Sequence, residues 1–155
     1  MTSVRCGGRL VALLAGLLCF SAELSVESSA PERTSALELA KLQGTWVMVS
    51  MEIKSRKIPD ARIQRYQLSI KEDVWKVNTS GRDTATYKLR LDPTVSPKQI
   101  DFLPMSGGEA VSRGVYELKG DMLTVCRTVG EKDRPTEFKT SEAVGILVVW
   151  KRTSR

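Results

Sequence analysis

The sequence predicts an all-β domain, an eight-stranded antiparallel up-and-down barrel that follows a short N-terminal helix. Three observations predict this fold. Short runs rich in apolar and β-branched residues recur along the chain, their apolar residues alternate with polar ones, and turn residues separate them. Hairpin connections suit such a meander, and its closure into a barrel leaves no exposed sheet edge.

The chain begins with the pattern of a secretory signal peptide, which we assign to residues 1–22. Arg5 and Arg9 lead into an apolar run over 10–20, and no acidic residue occurs before Glu23. This run is well short of the ~20 apolar residues that a membrane-spanning helix needs. We therefore expect export to the periplasm, the cell envelope or the extracellular space, without a stable membrane anchor.

Cleavage requires small residues just before the cut, and these precede a cut after Ser21 and a later one, at residue 30, after Ala30. Lipidation of Cys19 is an alternative, but leucines precede it where a lipoprotein signal has small residues. We expect residues 23–34 to form a flexible lead-in. Residues 35–155 then form the barrel domain, which is long enough to bury one core.

Composition excludes several classes of function. The chain contains no histidine, which excludes histidine-dependent catalytic triads and zinc sites built on histidine. Removing residues 1–21 takes away Arg5 and Arg9 but no acid, so the net charge falls from +6 to +4. Because the remaining basic residues are dispersed, we expect no nucleic-acid partner. Cys126 is then the one cysteine of the mature chain, and we expect a buried apolar side chain there instead of a reactive thiol.

A short helix is expected where the ordered chain begins. Thr34 or Ser35 can cap it, Glu38 stands three residues after Ser35 as in a capping box, and Gly44 ends it. A helix of one or two turns is unstable alone in water, so it must pack on the barrel.

Eight strands follow, with a second short helix expected over 60–65. Most strands alternate in character, so one face should be buried and the other wet. The last strand is almost continuously apolar up to Trp150, which predicts burial on both of its faces. The predicted strands cover 44–54, 66–71, 74–79, 84–91, 99–103, 114–119, 122–128 and 145–152.

Four aromatic residues at apolar strand positions are candidates to line the barrel interior, namely Tyr66, Tyr87, Phe102 and Tyr116. They can form the walls of a ligand pocket or simply fill the barrel, since eight strands enclose room for side chains or for one small ligand. An open lumen should hold a pocket of roughly 300 Å³ or more. We expect this open-ended form, because the loops are longer than a filled barrel needs.

The segment KLQGTW at 41–46 resembles the start of lipocalins, where a short helix leads to Gly-x-Trp at the first strand. The resemblance implies that Lys151 or Arg152, after the last strand, lies across the face of Trp46 in a cation–π contact. We therefore interpret Gly44 and Trp46, together with these two basic residues, as the structural closure of the barrel.

A second resemblance covers about 42–152, nearly all of the mature chain. The runs LQGTWVMVS, GVYELKGDMLTVC, EKDRPTEF and ILVVWKR resemble the uncharacterised lipocalin-like domain family that is multiplied in planctomycete bacteria. This resemblance implies a lipocalin-like barrel, export and no assigned activity, and it carries over no catalytic residues. The chain lacks the Thr-Asp-Tyr of lipocalins proper at 120–122, which argues against a retinoid-type or odorant-type role.

One charged group stands out in the long connection over 129–143. It comprises Asp133, Arg134 and Glu137. A pair of carboxylates can act as acid and base, but a structural ion pair between Arg134 and a nearby carboxylate is the commoner arrangement. Pro135 and Phe138 would then hold the loop on the barrel.

The sequence thus favours an exported, non-catalytic binding module whose default ligand is a small apolar or amphipathic molecule. The alternative is a protein–protein interaction domain that uses the outer loops at 92–98, 104–113 and 129–143. An enzyme of unrecognised type ranks third. We expect a monomer without a metal or cofactor.

Overall fold

Strand pairing closes the sheet of this protein into a barrel. The computed structural model describes residues 29–130, 133–142 and 145–154. The elements are α1 (Ala30–Leu42), β1 (Gly44–Ile53), β2 (Arg56–Lys57), α2 (Asp60–Ile63), β3 (Tyr66–Lys71), β4 (Val74–Thr79), β5 (Arg82–Asp92), β6 (Lys98–Leu103), β7 (Ser112–Lys119), β8 (Met122–Arg127) and β9 (Ile146–Ser154).

The predicted fold is confirmed. Strands β1 and β3 to β9 pair antiparallel in chain order, and β9 returns to pair with β1, so that eight strands close the barrel. The additional strand β2 pairs with the last two residues of β1, beside the closing pair. Sequence reasoning missed β2, because two adjacent basic residues carry no alternating apolar pattern.

The register sends alternate apolar side chains into one core inside the barrel. Trp46 lies opposite Leu68, and Leu68 lies opposite Val77 on the next strand. In β9, Val148 and Trp150 are buried while the residues between and after them are half-buried or exposed. The expectation that both faces of the last strand are buried is therefore wrong, because the outward-facing Leu147 and Val149 are only half-buried.

Helix α1 begins earlier than the sequence predicted. It starts at Ala30, inside the stretch 23–34 that was expected to be a flexible lead-in, and has 13 residues. The backbone N–H of Ser29 donates to Glu32 Oε2 at 3.2 Å, as in a capping box, and Pro31 suits the first turn. The prediction of a helix that starts at Thr34 or Ser35 is wrong because this earlier cap extends it.

Glu38 anchors α1 to the barrel instead of capping it. Its carboxylate is buried and accepts hydrogen bonds from Lys41 at 2.8 Å and from Lys98 on β6. Ser35 Oγ donates to the carbonyl of Leu91 on β5 at 3.0 Å. The middle of the helix is thereby fixed across one end of the barrel.

The two ends of the barrel differ. Because α1 leads directly into β1 and the strands are antiparallel, the β3–β4, β5–β6 and β7–β8 connections lie at the α1 end. The connections after β1, β6 and β8 lie at the opposite end. The outer loop at 92–98 is therefore at the α1 end, whereas that at 104–113 is at the other.

The predicted signal peptide at 1–22 and the possible cut after Ser21 lie outside the described residues. Within the described ranges, no helix is long and apolar enough to cross a membrane.

Candidate functional site

Trp46 and Arg152 close the barrel at the α1 end. Arg152 Cζ lies 4.1 Å from the ring centre of Trp46. The same guanidinium donates to the carbonyls of Gln43 and, at 2.7 Å, Lys41, and Trp46 Nε1 donates to the carbonyl of Leu42 at 3.2 Å. The last carbonyls of a helix have no partner within it, so these bonds satisfy the C-terminus of α1. This cluster joins the helix to the first and last strands.

The other two residues assigned to barrel closure differ in their roles. Gly44 has a φ of +125° at the junction of α1 and β1, where a side chain would be strained. Lys151 lies opposite Val47 in the β1–β9 pairing and is exposed, so Arg152 alone makes the predicted cation–π contact. Both basic residues belong to β9 and do not follow it.

The four aromatic lumen candidates lie at different depths in the barrel. Phe102 is buried, and the ring of Tyr87 packs against it edge-on with ring centres 5.7 Å apart. Tyr66 is half-buried toward the end opposite α1. Tyr116 lies toward the α1 end, where burial raises the pKa of its hydroxyl, and that hydroxyl has no hydrogen-bond partner among the described residues.

An apolar cavity lies inside the barrel toward the end opposite α1. Its volume is about 140 Å³. In the described part of the barrel, the expectation of roughly 300 Å³ is therefore not met, because Trp75, Phe102 and Trp150 pack edge to face and fill much of the interior. The lining residues are Met48, Met51, Tyr66, Trp75, Val77, Thr84, Ala85, Arg127, Ile146, Val148 and Trp150.

Arg127 is a cavity residue that sequence reasoning missed. Its Cζ lies 5.1 Å from the ring centre of Phe102 and 6.0 Å from that of Tyr87. Its Nη1 donates to Ser112 Oγ at 3.1 Å, and this buried hydroxyl donates in turn to the carbonyl of Thr128. The guanidinium is thus held against two rings by a hydroxyl that is itself fixed.

The charge of Arg127 is poorly compensated by its surroundings. Burial lowers the pKa of Arg127 from its ordinary value. Among the described residues, the arginine ion pairs involve Arg90, Arg134 and Arg152, and none involves Arg127. The sequence did indicate that Arg127 faces inward, because it continues the inward-facing alternation of Leu123 and Val125 along β8.

The charged group in the connection after β8 does not form a carboxylate pair. Arg134 Nη2 lies 2.6 Å from the buried carboxylate of Asp101, and Nη1 donates to backbone carbonyls of β6 and β7 at 3.2 and 2.8 Å. Arg90 contacts the other oxygen of Asp101 at 2.9 Å. Asp133 and Glu137 are exposed. Arg134 therefore fastens this loop to the outer face of the barrel.

Cys126 lies beneath the same loop. Its Sγ is 3.5 Å from the carbonyl oxygen of Lys139, and burial raises the pKa of the thiol to about 11, so it stays protonated at neutral pH. Over residues 29–130, 133–142 and 145–154, no three or more Cys, Asp or Glu side chains come together as a metal site would require.

Family models, curated proteins and solved structures offer no match to this chain.

Proposed function

We propose that this protein is an exported, non-catalytic, lipocalin-like binding module for a small apolar or amphipathic molecule. The observation that carries the proposal is the cavity inside the barrel, which is lined mainly by aromatic and aliphatic side chains, with Thr84 and Arg127 also among its described lining residues. Small-molecule sites are typically concave and mostly apolar with a few placed polar groups, and the mouths of β-barrels are a common location.

The volume of the cavity limits the ligand. An engineered apolar cavity of about 150 Å³ stays dry and takes up benzene, and the cavity here has a volume of about 140 Å³. The ligand we propose therefore inserts one ring or one short chain. A long-chain lipid does not fit without movement of the core.

Two further parts of the proposal rest on separate observations. The lipocalin-like assignment is supported by the junction at Gly44 and by Arg152 lying across the ring of Trp46. Export is supported by the sequence of residues 1–22. Mass spectrometry of the secreted or envelope fraction tests export: we expect a chain that lacks these residues, and an intact Met1 or a lipid on Cys19 would contradict it.

The binding proposal is tested by titration followed through tryptophan fluorescence. Trp75 and Trp150 line the cavity, so a molecule that enters it changes their emission. The panel contains toluene, benzyl alcohol, benzoate, hexan-1-ol, hexanoate and palmitate. We expect saturable changes with single-ring or short-chain compounds and none with palmitate.

A matched pair of variants locates the response. Ala85→Leu adds a side chain that fills the cavity, and Ala36→Leu makes the same change at an exposed position of α1. We expect the first variant to lose the saturable response and the second to keep it. Absence of a saturable response in the wild-type protein, or its survival in Ala85→Leu, contradicts the proposal.

A protein–protein interaction domain is the second candidate. Met105, Val111 and Val129 are exposed on the connections after β6 and β8, which lie at the same end of the barrel. Exposed apolar residues that gather at one end of a fold can mark a protein interface. If no compound in the panel binds, this candidate becomes the better explanation.

A further inference from the structure

Two of the polar side chains that line the cavity can only donate hydrogen bonds, whereas the hydroxyls of Tyr66 and Thr84 can donate and accept. Arg127 has five N–H groups and no acceptor, and the indole N–H of Trp150 is also only a donor. Both side chains line the cavity. Among the described residues, no group accepts a hydrogen bond from Trp150 Nε1, which is buried, and no carboxylate lines the cavity. These two donor-only side chains are therefore suited to a ligand group that accepts hydrogen bonds.

Arg127 has fewer hydrogen-bond acceptors than Arg134 and Arg152, two other arginines whose side chains are largely buried. Arg134 donates to one carboxylate and two backbone carbonyls, and Arg152 donates to one carboxylate and two backbone carbonyls. Within the described residues, the recorded acceptor of Arg127 is a single hydroxyl, that of Ser112. The first two arginines are explained by the contacts that they make within the fold, whereas Arg127 is not.

The surroundings of Arg127 fix its guanidinium in place. Arg127 is half-buried, and contacts with the faces of Phe102 and Tyr87 offset part of the cost of removing its charge from water. Ser112 is 2% exposed, and its hydroxyl is oriented by its own bond to the carbonyl of Thr128. A planar group held in this way presents its remaining N–H donors in a defined direction, which is the arrangement that recognises a planar carboxylate.

We propose that the barrel binds a small organic carboxylate, a single ring or short chain that bears one anionic group, with Arg127 as the anchor of that group. This inference rests on the proposed binding function and names its ligand class. The apolar part of the molecule occupies the cavity beside Trp75 and Trp150, and its carboxylate accepts hydrogen bonds from the guanidinium. The volume of the cavity limits the size of the ligand's apolar part. Because Arg127 has no carboxylate partner among the described residues, the ligand itself supplies the negative charge.

Calorimetric titration with paired ligands tests the inference. Benzoate is compared with benzyl alcohol and hexanoate with hexan-1-ol, because each pair shares an apolar part and differs in charge. The proteins are the wild type, Arg127→Met, Arg127→Lys and Arg113→Met. The last is the matched control, since Arg113 lies on the neighbouring strand β7 and is exposed.

We expect the wild type to prefer each anion over its alcohol. Arg127→Met should weaken benzoate binding by roughly 10- to 100-fold, the equivalent of one hydrogen-bonded charge pair, and should weaken benzyl alcohol binding far less, because the alcohol has no charge to lose a partner. Arg127→Lys keeps the charge without the planar fork and should give an intermediate loss. Arg113→Met should behave as the wild type.

Equal affinity of the wild type for benzoate and benzyl alcohol would overturn the inference and leave the proposed function standing. Unchanged benzoate affinity in Arg127→Met would do the same. If neither ligand of a pair binds saturably, the proposed function fails and the inference fails with it. Circular dichroism checks that the variants fold. If Arg127→Met does not fold, Arg127→Lys decides, and wild-type benzoate affinity in that variant overturns the inference.

Discussion

Single residues in this barrel divide into those whose contacts explain their burial and those whose contacts do not. Trp46 belongs to the first kind, because its ring lies under Arg152 and its indole N–H reaches the helix C-terminus. Arg127 belongs to the second, since a half-buried charge with one hydroxyl acceptor contributes little to the fold. Residues of this second kind are often retained for function at some cost in stability.

The role of Trp46 is tested by truncation. Trp46→Ala removes a fully buried side chain and the ring under Arg152, so we expect a loss of about 3–5 kcal/mol in the free energy of unfolding. Urea denaturation measures it. Lys151→Ala, an exposed position beside Arg152, is the control and should lie within about 0.5 kcal/mol of the wild type. A similarly small loss for Trp46→Ala would show that this cluster does not close the barrel.

At the scale of elements, helix α1 and the connection after β8 are both attached to the barrel through buried carboxylates. Glu38 joins the helix to β6 through Lys98. Asp101 joins the connection to the same strand through Arg134. The two attachments lie at different positions along β6, because Lys98 begins that strand and Asp101 is its fourth residue. Each can be tested separately.

The attachment of α1 should depend on pH. Burial alone would raise the pKa of Glu38, but hydrogen bonds from Lys41 and Lys98 outweigh it and hold the pKa below the ordinary value of 4.5. The folded state thus binds fewer protons than the unfolded state, so this stabilisation is present at neutral pH and is lost as the pH falls through the folded pKa.

We expect Glu38→Gln to be less stable than the wild type at pH 7 by about 1 kcal/mol, because both lysines lose a charged acceptor. Its stability should also fall less steeply between neutral and acidic pH. Urea denaturation at several pH values measures both quantities. A variant with the same acid dependence as the wild type would show that Glu38 does not contribute to it.

The attachment of the connection after β8 is tested through Cys126, which lies beneath it. Arg134→Met removes three hydrogen bonds and should let the loop open more often, so that a thiol reagent modifies Cys126 several-fold faster. Arg90→Met is the matched control, because Arg90 also contacts Asp101 but is largely exposed. Equal rates in the two variants would mean that Arg134 does not hold the loop.

Alternation predicted the strands within a few residues, since in a barrel one face of each strand meets the core. The start of α1 was missed because Ser29 and Glu32, which cap it, lie in a Ser- and Glu-rich stretch typical of flexible segments. Arg127 was missed because a charged residue near the end of a strand is usually at the surface. Here the alternation of side chains along β8 points it into the barrel.

For the whole molecule, the two ends of the barrel differ in structure. The α1 end is closed by the helix and by the cluster of Trp46 and Arg152. The cavity and Arg127 lie toward the opposite end, where the longer connections are. The volume of the interior could not be predicted from the sequence, because it depends on how Trp75, Phe102 and Trp150 pack edge to face, and alternation fixes only which side they point to.

The central claim, that the barrel interior holds a small molecule, is tested most directly by nuclear magnetic resonance of the ¹⁵N-labelled protein titrated with benzoate. Trp75 and Trp150 line the cavity, while Trp46 lies at the closed end and serves as an internal control. We predict saturable shifts of the indole signals of Trp75 and Trp150, with that of Trp46 unchanged. No saturable shift, or shifts confined to the exposed loop residues Met105 and Val129, would contradict the claim.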